Sequence, residues 1–358
     1  MTNSTRTATV RDSRLDVARG VAILGVVIVH VYRGLYGAGR VDEGTTFWVD
    51  NLTGFWCLSV FAFVGGTFVP RGVRKRGVAS YVRDRVPRFA VIYCIWTALQ
   101  GGIQLLAADS ANVPVTPLTV LSLWRPIGHL WYLPFLILVT VVVVPLKPWL
   151  RPRGAWVLGA AFVVSVLFWG YDGGYIGTQG LALLVFFVGG MVLGADRVTA
   201  TLDRFNVVVA AVIGVAVLVA SSLLATALDA TAPTFDHGGR TVATVAIGVV
   251  IAFISSAALV LAGHGLRSAS LLAFLGRRSL DIYLAHVIIA AGTRIVLTHL
   301  GVTALWIFVV AGFLMAVVGS LIAGSLARRI KLGWIFDGPA WFGTAAPVRP
   351  AAPRAEQA

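Results

Sequence analysis

The segment SRLDVARGVAILGVVIVHVYRGLYG, residues 13–37, joins a charged start to an apolar run of membrane-spanning length. His30 lies within that run, where an ionisable side chain is costly and by default marks a candidate functional residue. Arg19 precedes it by eleven residues, which places it about 20° off the same helix face and about 16 Å away along the axis. The spacing predicts Arg19 at one membrane surface and His30 near mid-depth. A histidine that merely faces another helix is the structural alternative.

The composition identifies an integral membrane protein. Hydrophobic residues make up 58% of the chain and charged residues 12%, and the mean hydropathy is +0.87. These values lie outside the usual range of soluble domains. The apolar residues form blocks of membrane-spanning length without the alternation of barrel strands. The predicted fold is therefore all-α, a polytopic helix bundle in the lipid bilayer.

Ten apolar segments are predicted to span the membrane. They are residues 17–36, 52–69, 89–106, 127–145, 155–169, 181–194, 207–225, 242–262, 279–297 and 302–326. The fifth and sixth are short, which leaves open whether they cross fully. The transmembrane domain is predicted over residues 14–343, between a polar tail at 1–13 and a disordered Ala/Pro-rich tail at 344–358.

The distribution of basic residues predicts that both termini are cytoplasmic. With that orientation, 24 of the 29 lysines and arginines face the cytoplasm and five face outward. Such an excess is typical of cytoplasmic loops, and one missed span would invert every later loop. The net charge of +14 is explained by topology and anionic lipid, so no nucleic-acid partner is expected.

Basic residues before the third span are candidates for anion binding. In RKRGVASYVRDRVPRF, residues 74–89, Arg85 and Arg88 are three apart beside a helix start. Such a pair can form a fork for phosphate. Ordinary positive-inside charge is the alternative, and it is the preferred interpretation for residues 74–76.

A second cluster lies at the start of the fourth span, on the predicted outer side. It is RPIGHLWYLPF, residues 125–135, and it contains His129, Trp131 and Tyr132. His129 is interpreted either as a contact for a hydroxylated acceptor or as a structural hydrogen-bonding residue. The two aromatic residues are also typical of a membrane interface.

A third cluster is FLGRRSLDIYLAHVI, residues 274–288, in which Ser279, Tyr283 and His286 follow one helical stripe. His286 lies two turns into a span and is therefore intramembrane. Together with His30 it indicates a polar cavity along the bundle axis, or alternatively a proton relay. No metal site is predicted, because the lone His237 in an outer loop lacks convergent partners and is expected to be solvated.

These segments resemble the acyltransferase-3 family of integral-membrane O-acyltransferases, which modify surface glycans and some secondary metabolites. Arg19 and His30 match the family's basic residue and histidine eleven positions apart. RVPR (85–88) resembles the family's paired arginines before the third span, and FAFVGG (61–66) resembles its FFxxSG motif, with Gly65 at the serine position. HLWYL (129–133) is similar to the family's HLWFL. FFVGGMVLG (186–194) and SLDIYLAH (279–286) resemble later family blocks. The matches run in the family's order.

One departure concerns the fourth span. Many family members follow its tryptophan motif with an acidic residue, where this chain has Pro134, Phe135 and Leu136. The chain therefore resembles the branch without that glutamate, and also members without a fused C-terminal soluble domain.

The resemblance implies transfer of an acyl group from cytoplasmic acyl-CoA, with acetyl-CoA as the expected donor, to a hydroxyl of an extracytoplasmic glycan or glycosylated acceptor. The enzyme would be a multi-pass protein of a bacterial plasma membrane without a bound cofactor. His30 is the expected general base or acyl carrier, with Arg19 as the second catalytic residue. Arg14, Arg85 and Arg88 are the expected donor ligands. The residues expected on the acceptor side or in the cavity are His129, Trp131, Tyr132, Ser279, Tyr283 and His286.

A proton-coupled transporter with His30 and His286 as relay groups is the alternative function. Against it, the sequence has no inverted internal repeat and no matching pair of Gly/Pro-broken helices. A non-catalytic membrane scaffold would have no reason to keep polar groups at these depths. The acceptor, the acyl chain length and the oligomeric state are left open by the sequence.

Overall fold

The computed structural model describes residues 12–107 and 115–339, in which the regular elements are helices. The helices are α1 Arg14–Gly37, α2 Glu43–Thr53, α3 Cys57–Arg76, α4 Val78–Leu106, α5 Pro117–Leu121, α6 Tyr132–Val142, α7 Arg153–Leu167, α8 Leu184–Leu202, α9 Val207–Ala227, α10 Val242–Gly265, α11 Ser270–Arg277, α12 Ser279–His299, α13 Leu305–Arg329 and α14 Trp334–Asp337. Short 3₁₀ turns precede α6 and α8, at Gly128–Trp131 and Gln179–Leu183. Apart from residues 12 and 13, the two predicted tails lie outside the described residues.

The all-α membrane fold is confirmed. In the described ranges, nine helical segments are long and apolar enough to cross a membrane. The sixth predicted span corresponds to one of them, Gln179–Leu202, with 24 residues. The fifth corresponds to α7, which has only 15 residues and falls short of the roughly 20 that a full crossing needs. The cytoplasmic placement of the termini stays a prediction.

The second predicted span, residues 52–69, is interrupted where a continuous helix was expected. A turn at residues 54–56 separates α2 from α3. Neighbouring atoms leave no room for a side chain at Gly54. An added Cβ would lie 2.7 Å from the Asp50 carbonyl oxygen and 2.5 Å from the Phe235 ring. The indole N–H of Trp56 donates to the Leu52 carbonyl at 2.8 Å. The hydropathy pattern continues through this turn and therefore does not mark it.

Helix α1 lies at the centre of the bundle and packs against α2, α3, α10, α11, α12 and α13. Its approach to α11 depends on two glycines. A Cβ on Gly20 would collide with the carbonyl oxygen of Leu272, and one on Gly276 with that of Asp16. Small residues let membrane helices approach backbone to backbone. This contact fixes the charged first turns of α1, and with them the position of Arg19.

A second close crossing joins α3 to α8. Here Gly66 faces the carbonyl oxygen of Phe187, and Gly190 faces that of Phe63. Beyond the crossing, Gly194 has a positive φ of 69° and kinks α8. The sixth predicted span ended at this residue, whereas the helix resumes and continues to Leu202.

Candidate active site

Three histidines from distant parts of the chain meet inside the bundle. His30 lies on α1, His129 in the 3₁₀ turn before α6, and His286 on α12. The ring centroids are 5.7 Å apart for His30 and His129, 5.1 Å for His30 and His286, and 4.8 Å for His129 and His286. The structure therefore gathers the two histidines predicted to be intramembrane, His30 and His286, and His129, predicted at the outer start of the fourth span, into one cluster.

The ring of His286 is oriented by its own helix. Its Nδ1 lies 2.9 Å from the carbonyl oxygen of Ile282 and 2.8 Å from that of Tyr283. Carbonyl oxygens only accept hydrogen bonds, so this network assigns the proton to Nδ1 and leaves Nε2 as an acceptor. The Nε2 atom is buried and has no hydrogen-bond partner among the described residues. His286 therefore offers a fixed acceptor within the cluster.

His129 is held through its backbone, and its ring stays available. The hydroxyl of Tyr283 donates to the carbonyl oxygen of His129 at 2.8 Å. Both ring nitrogens of His129 are buried without a hydrogen-bond partner in the described ranges. An unsatisfied buried polar group costs about 1–3 kcal/mol, and each such group in a folded protein calls for an explanation such as catalysis. Tyr283 thus acts as a positioning residue for His129.

Arg19 contacts the start of α12. Its Nη2 donates to the hydroxyl oxygen of Ser279 at 2.8 Å, and its guanidinium carbon lies 5.7 Å from the centre of the Phe61 ring. From this contact α1 rises about 16 Å to His30, and α12 rises about 10 Å from Ser279 to His286. Ser279, Tyr283 and His286 on α12 therefore connect Arg19 to the histidine cluster, whereas α1 is apolar between Arg19 and His30.

A basic cavity of about 660 Å³ lies at the same end of α1 as Arg19. Arg85 lines it, with its guanidinium carbon 5.4 Å from the centre of the Tyr81 ring. Arg88 does not line this cavity. Its side chain packs against Gly338 instead, because a Cβ added to that glycine would lie only 2.5 Å from Cγ of Arg88. The other basic residues at the cavity are Arg71, Lys75 and Arg76.

Arg14, a predicted donor ligand, has its hydrogen-bond donors engaged by protein acceptors. It reaches Asp203 at 2.5 Å, the Thr199 carbonyl at 3.2 Å and Asp12 at 2.6 Å. Burial alone would raise the pKa of Asp12, but the hydrogen bonds from Arg14 outweigh it and hold that pKa below its usual value. Arg14 therefore ties the start of α1 to the end of α8, at the rim of the basic cavity.

Two further cavities, of about 580 and 320 Å³, open beside the cluster and share His30, Arg33, Gly128 and His129. Trp131 lines the smaller one. Tyr132 does not line either cavity. It is buried, with its ring centre 5.7 Å from that of Phe135 and 6.1 Å from that of Tyr283.

Arg33 and Asp50 form an ion pair at the rim of these cavities that the sequence did not reveal. The guanidinium of Arg33 donates to both carboxylate oxygens of Asp50 at 3.0 Å, and Nε2 of His237 lies 3.4 Å from Asp50. The signal for Arg33 was its position three residues after His30, on nearly the same face. No sequence pattern connects Arg33 or His237 to Asp50.

The loop of His237 is also less solvated than expected. The His237 side chain is 31% exposed, and its ring centre lies 5.0 Å from that of Phe47 and 5.3 Å from that of Phe235. The loop therefore docks on α2. In residues 12–107 and 115–339, no three His, Cys, Asp or Glu side chains are placed to hold a metal ion.

Comparison with known protein families gives a match over most of the chain. The acyltransferase domain that defines the acyltransferase-3 family matches residues 12–324, which include α1 and the whole histidine cluster. Searches of curated proteins and of solved structures found no match. Because the matched region covers most of the chain and agrees with its apolar helices, this multi-pass membrane protein belongs to the acyltransferase-3 family.

Proposed function

We propose that this membrane acyltransferase moves an acyl group, with acetyl as the expected group, from acyl-CoA to a hydroxyl of a sugar-containing acceptor on the opposite side of the membrane. The main support is the arrangement of His30. It lies in line with Arg19, within 6 Å (ring centre to ring centre) of two further imidazoles, and at the junction of two cavities. An acyl transfer needs such a base beside a space for the acceptor.

The proposed reaction requires one proton acceptor and correct alignment. His30 takes the proton from the acceptor hydroxyl as the hydroxyl oxygen attacks the thioester carbonyl. A C–O bond forms, the C–S bond breaks, and the leaving CoA sulfur takes the proton back from the imidazolium. A first transfer of the acyl group to His30 itself would give the same products. Because the thioester is already activated, alignment supplies much of the rate.

The basic cavity is the proposed site for the phosphates of the donor. It is bounded by Leu15, four residues before Arg19 on α1, and several guanidinium groups face it. Arginine suits phosphate because its planar fork can bind two oxygens at once. From there, the line from Arg19 to His30 spans a distance comparable to that of an extended pantetheine arm. The thioester would therefore reach the histidine cluster from the end of α1 that carries Arg19, while the acceptor enters from the opposite side of the membrane.

Replacing Arg85 with alanine is expected to raise the KM for acetyl-CoA by about tenfold or more, because a hydrogen bond to a charged group contributes about 1.5–3 kcal/mol. The kcat is expected to change less, since Arg85 lies far from the reacting atoms. Arg83→Ala is the matched control, because Arg83 is exposed and does not line the basic cavity. Steady-state kinetics of both variants give the answer, and equal KM values would remove Arg85 from the donor site.

The general test is acyl transfer by the purified protein without any ion gradient. Reconstituted in nanodiscs with radiolabelled acetyl-CoA and an extract of cell envelope, the protein is expected to release CoA and label the extract. A transporter that uses His30 and His286 as relay groups would do neither, and it would instead need a gradient to move its substrate. Label that appears only when a gradient is imposed across proteoliposomes would contradict the proposal.

A further inference from the structure

The two cavities that meet at His30 differ in the chemistry of their walls. The larger one, of about 580 Å³, lies between α1, α4, α12 and α13 and has a mostly aliphatic lining. Its apolar residues include Val31, Leu35, Ile103, Val287, Ile288 and Ile295. Its size is in the range of pockets that enclose a small ligand. We call it the tail cavity.

Several polar groups line the tail cavity beside the histidines. Gln100 is 3% exposed, and its Oε1 is buried without a hydrogen-bond partner among the described residues. Its amide nitrogen would lie 3.1 Å from a Cβ on Gly128, the residue before His129. The buried ring nitrogens of His129 are unpartnered in the same ranges. Gln104 and Arg294 also line the cavity, so its polar groups are not confined to that end, although most of the lining is apolar.

The smaller cavity, of about 320 Å³, has a more polar wall, and we call it the head cavity. Besides His30 and His129 it is lined by Thr53, Gln179 and Trp131, among others. The amide of Gln179 donates to a carbonyl at 3.1 Å, which leaves its own oxygen as an acceptor. An indole side chain beside amide and hydroxyl groups suits a small, hydroxylated head group.

The tail cavity also reaches the surface that faces lipid. Ile103 is 43% exposed and Gly292 is exposed as well, and both line it. Helices α4, α12 and α13 are the ones with long exposed apolar faces here, since about a third or less of each spanning window is buried. An apolar chain can therefore enter from the bilayer. A polysaccharide would have to place its hydroxyls against aliphatic walls, where unpaired polar groups are costly.

We infer that the acceptor is a membrane lipid with a hydroxylated head group, whose hydrocarbon chain occupies the tail cavity and whose head group enters the head cavity beside His30. The inference rests on the proposed acyltransferase function and names the class of its acceptor. It excludes free polysaccharide as the direct acceptor.

In the test, the purified protein is incubated with three fractions from cells that lack this gene. They are the membrane lipids, the water-soluble envelope glycans, and the organic extract of the culture medium. With radiolabelled acetyl-CoA in nanodiscs, we expect label in the membrane-lipid fraction. Label only in the glycans or only in the medium extract would overturn the inference while leaving the acyl transfer intact. Label in no fraction would reject the acyl transfer itself, and the inference with it.

Two variants place the lipid chain in the tail cavity. Gly34→Leu and Gly292→Leu each add a side chain to its wall at a point where a Cβ would meet no atom of the described residues within 4 Å. Each is expected to lower lipid labelling by about tenfold, the loss expected when space for about two methylene groups disappears. Gly159→Leu on α7 is the matched control, since a Cβ there is equally uncrowded by described atoms.

Acetyl-CoA binding, measured as a thermal shift, distinguishes a filled cavity from a misfolded protein. The cavity variants are expected to keep the shift of the unmodified protein. If both retain full lipid labelling, or lose it together with Gly159→Leu, the chain does not bind in this cavity.

Discussion

His30→Ala is expected to lower acetyl transfer by about 10²- to 10⁴-fold, the contribution usual for a positioned general base. The alanine leaves Arg19 bound to Ser279, 2.8 Å away, and does not touch the basic cavity. The binding of acetyl-CoA is therefore expected to persist while the chemical step is lost. Transfer of label and CoA release, measured on equal amounts of purified protein, give the result.

Two controls make the His30 result specific. His299→Ala removes an exposed histidine at the end of α12, outside the cluster, and is expected to transfer at the normal rate. Arg19→Ala removes the contact with Ser279 at the start of α12 and is expected to impair transfer as well. Normal acylation by His30→Ala would end the proposed mechanism, whatever the other two variants do.

Gly20→Ala is expected to destabilise the protein by about 1–3 kcal/mol or more, because its methyl group would have to displace the backbone of α11. The opposite sign is expected for Gly159→Ala. A Cβ at that position meets no described atom within 4 Å, and alanine in an open helix position gains roughly 0.5–1 kcal/mol over glycine. Thermal unfolding of the two variants in one detergent compares them directly. Equal melting temperatures would show that the contact between α1 and α11 is looser than described.

The line from Arg19 to His30 follows from sequence spacing alone, because both residues lie on one helix and helical geometry is fixed. The membrane fold follows from the length of the apolar blocks. In contrast, the meeting of His129 with the other two histidines depends on how the bundle brings the turn Gly128–Trp131 and helix α12 to the same part of α1. No periodicity within a single segment carries that information.

The same limit separates Arg85 from Arg88. Three residues on a helix differ by about 60° around the axis, which is close enough to predict a shared fork. In the structure α14 packs against α4 and receives Arg88 at Gly338, whereas Arg85 faces the basic cavity. Which of the two arginines packs against a neighbouring helix is decided by the packing of the assembled bundle. The role of each arginine toward the donor stays a prediction.

The central position of α1 has a consequence for how the protein is made. This helix leaves the ribosome before the other described helices, whereas three of its neighbours, α11, α12 and α13, are synthesised more than 200 residues later. Until they arrive, Arg19 has no Ser279 to bind and His30 has no His286 beside it. Membrane helices insert individually and associate afterwards. The histidine cluster therefore forms only after α12 has been made, when the earlier spans already anchor the nascent chain in the membrane.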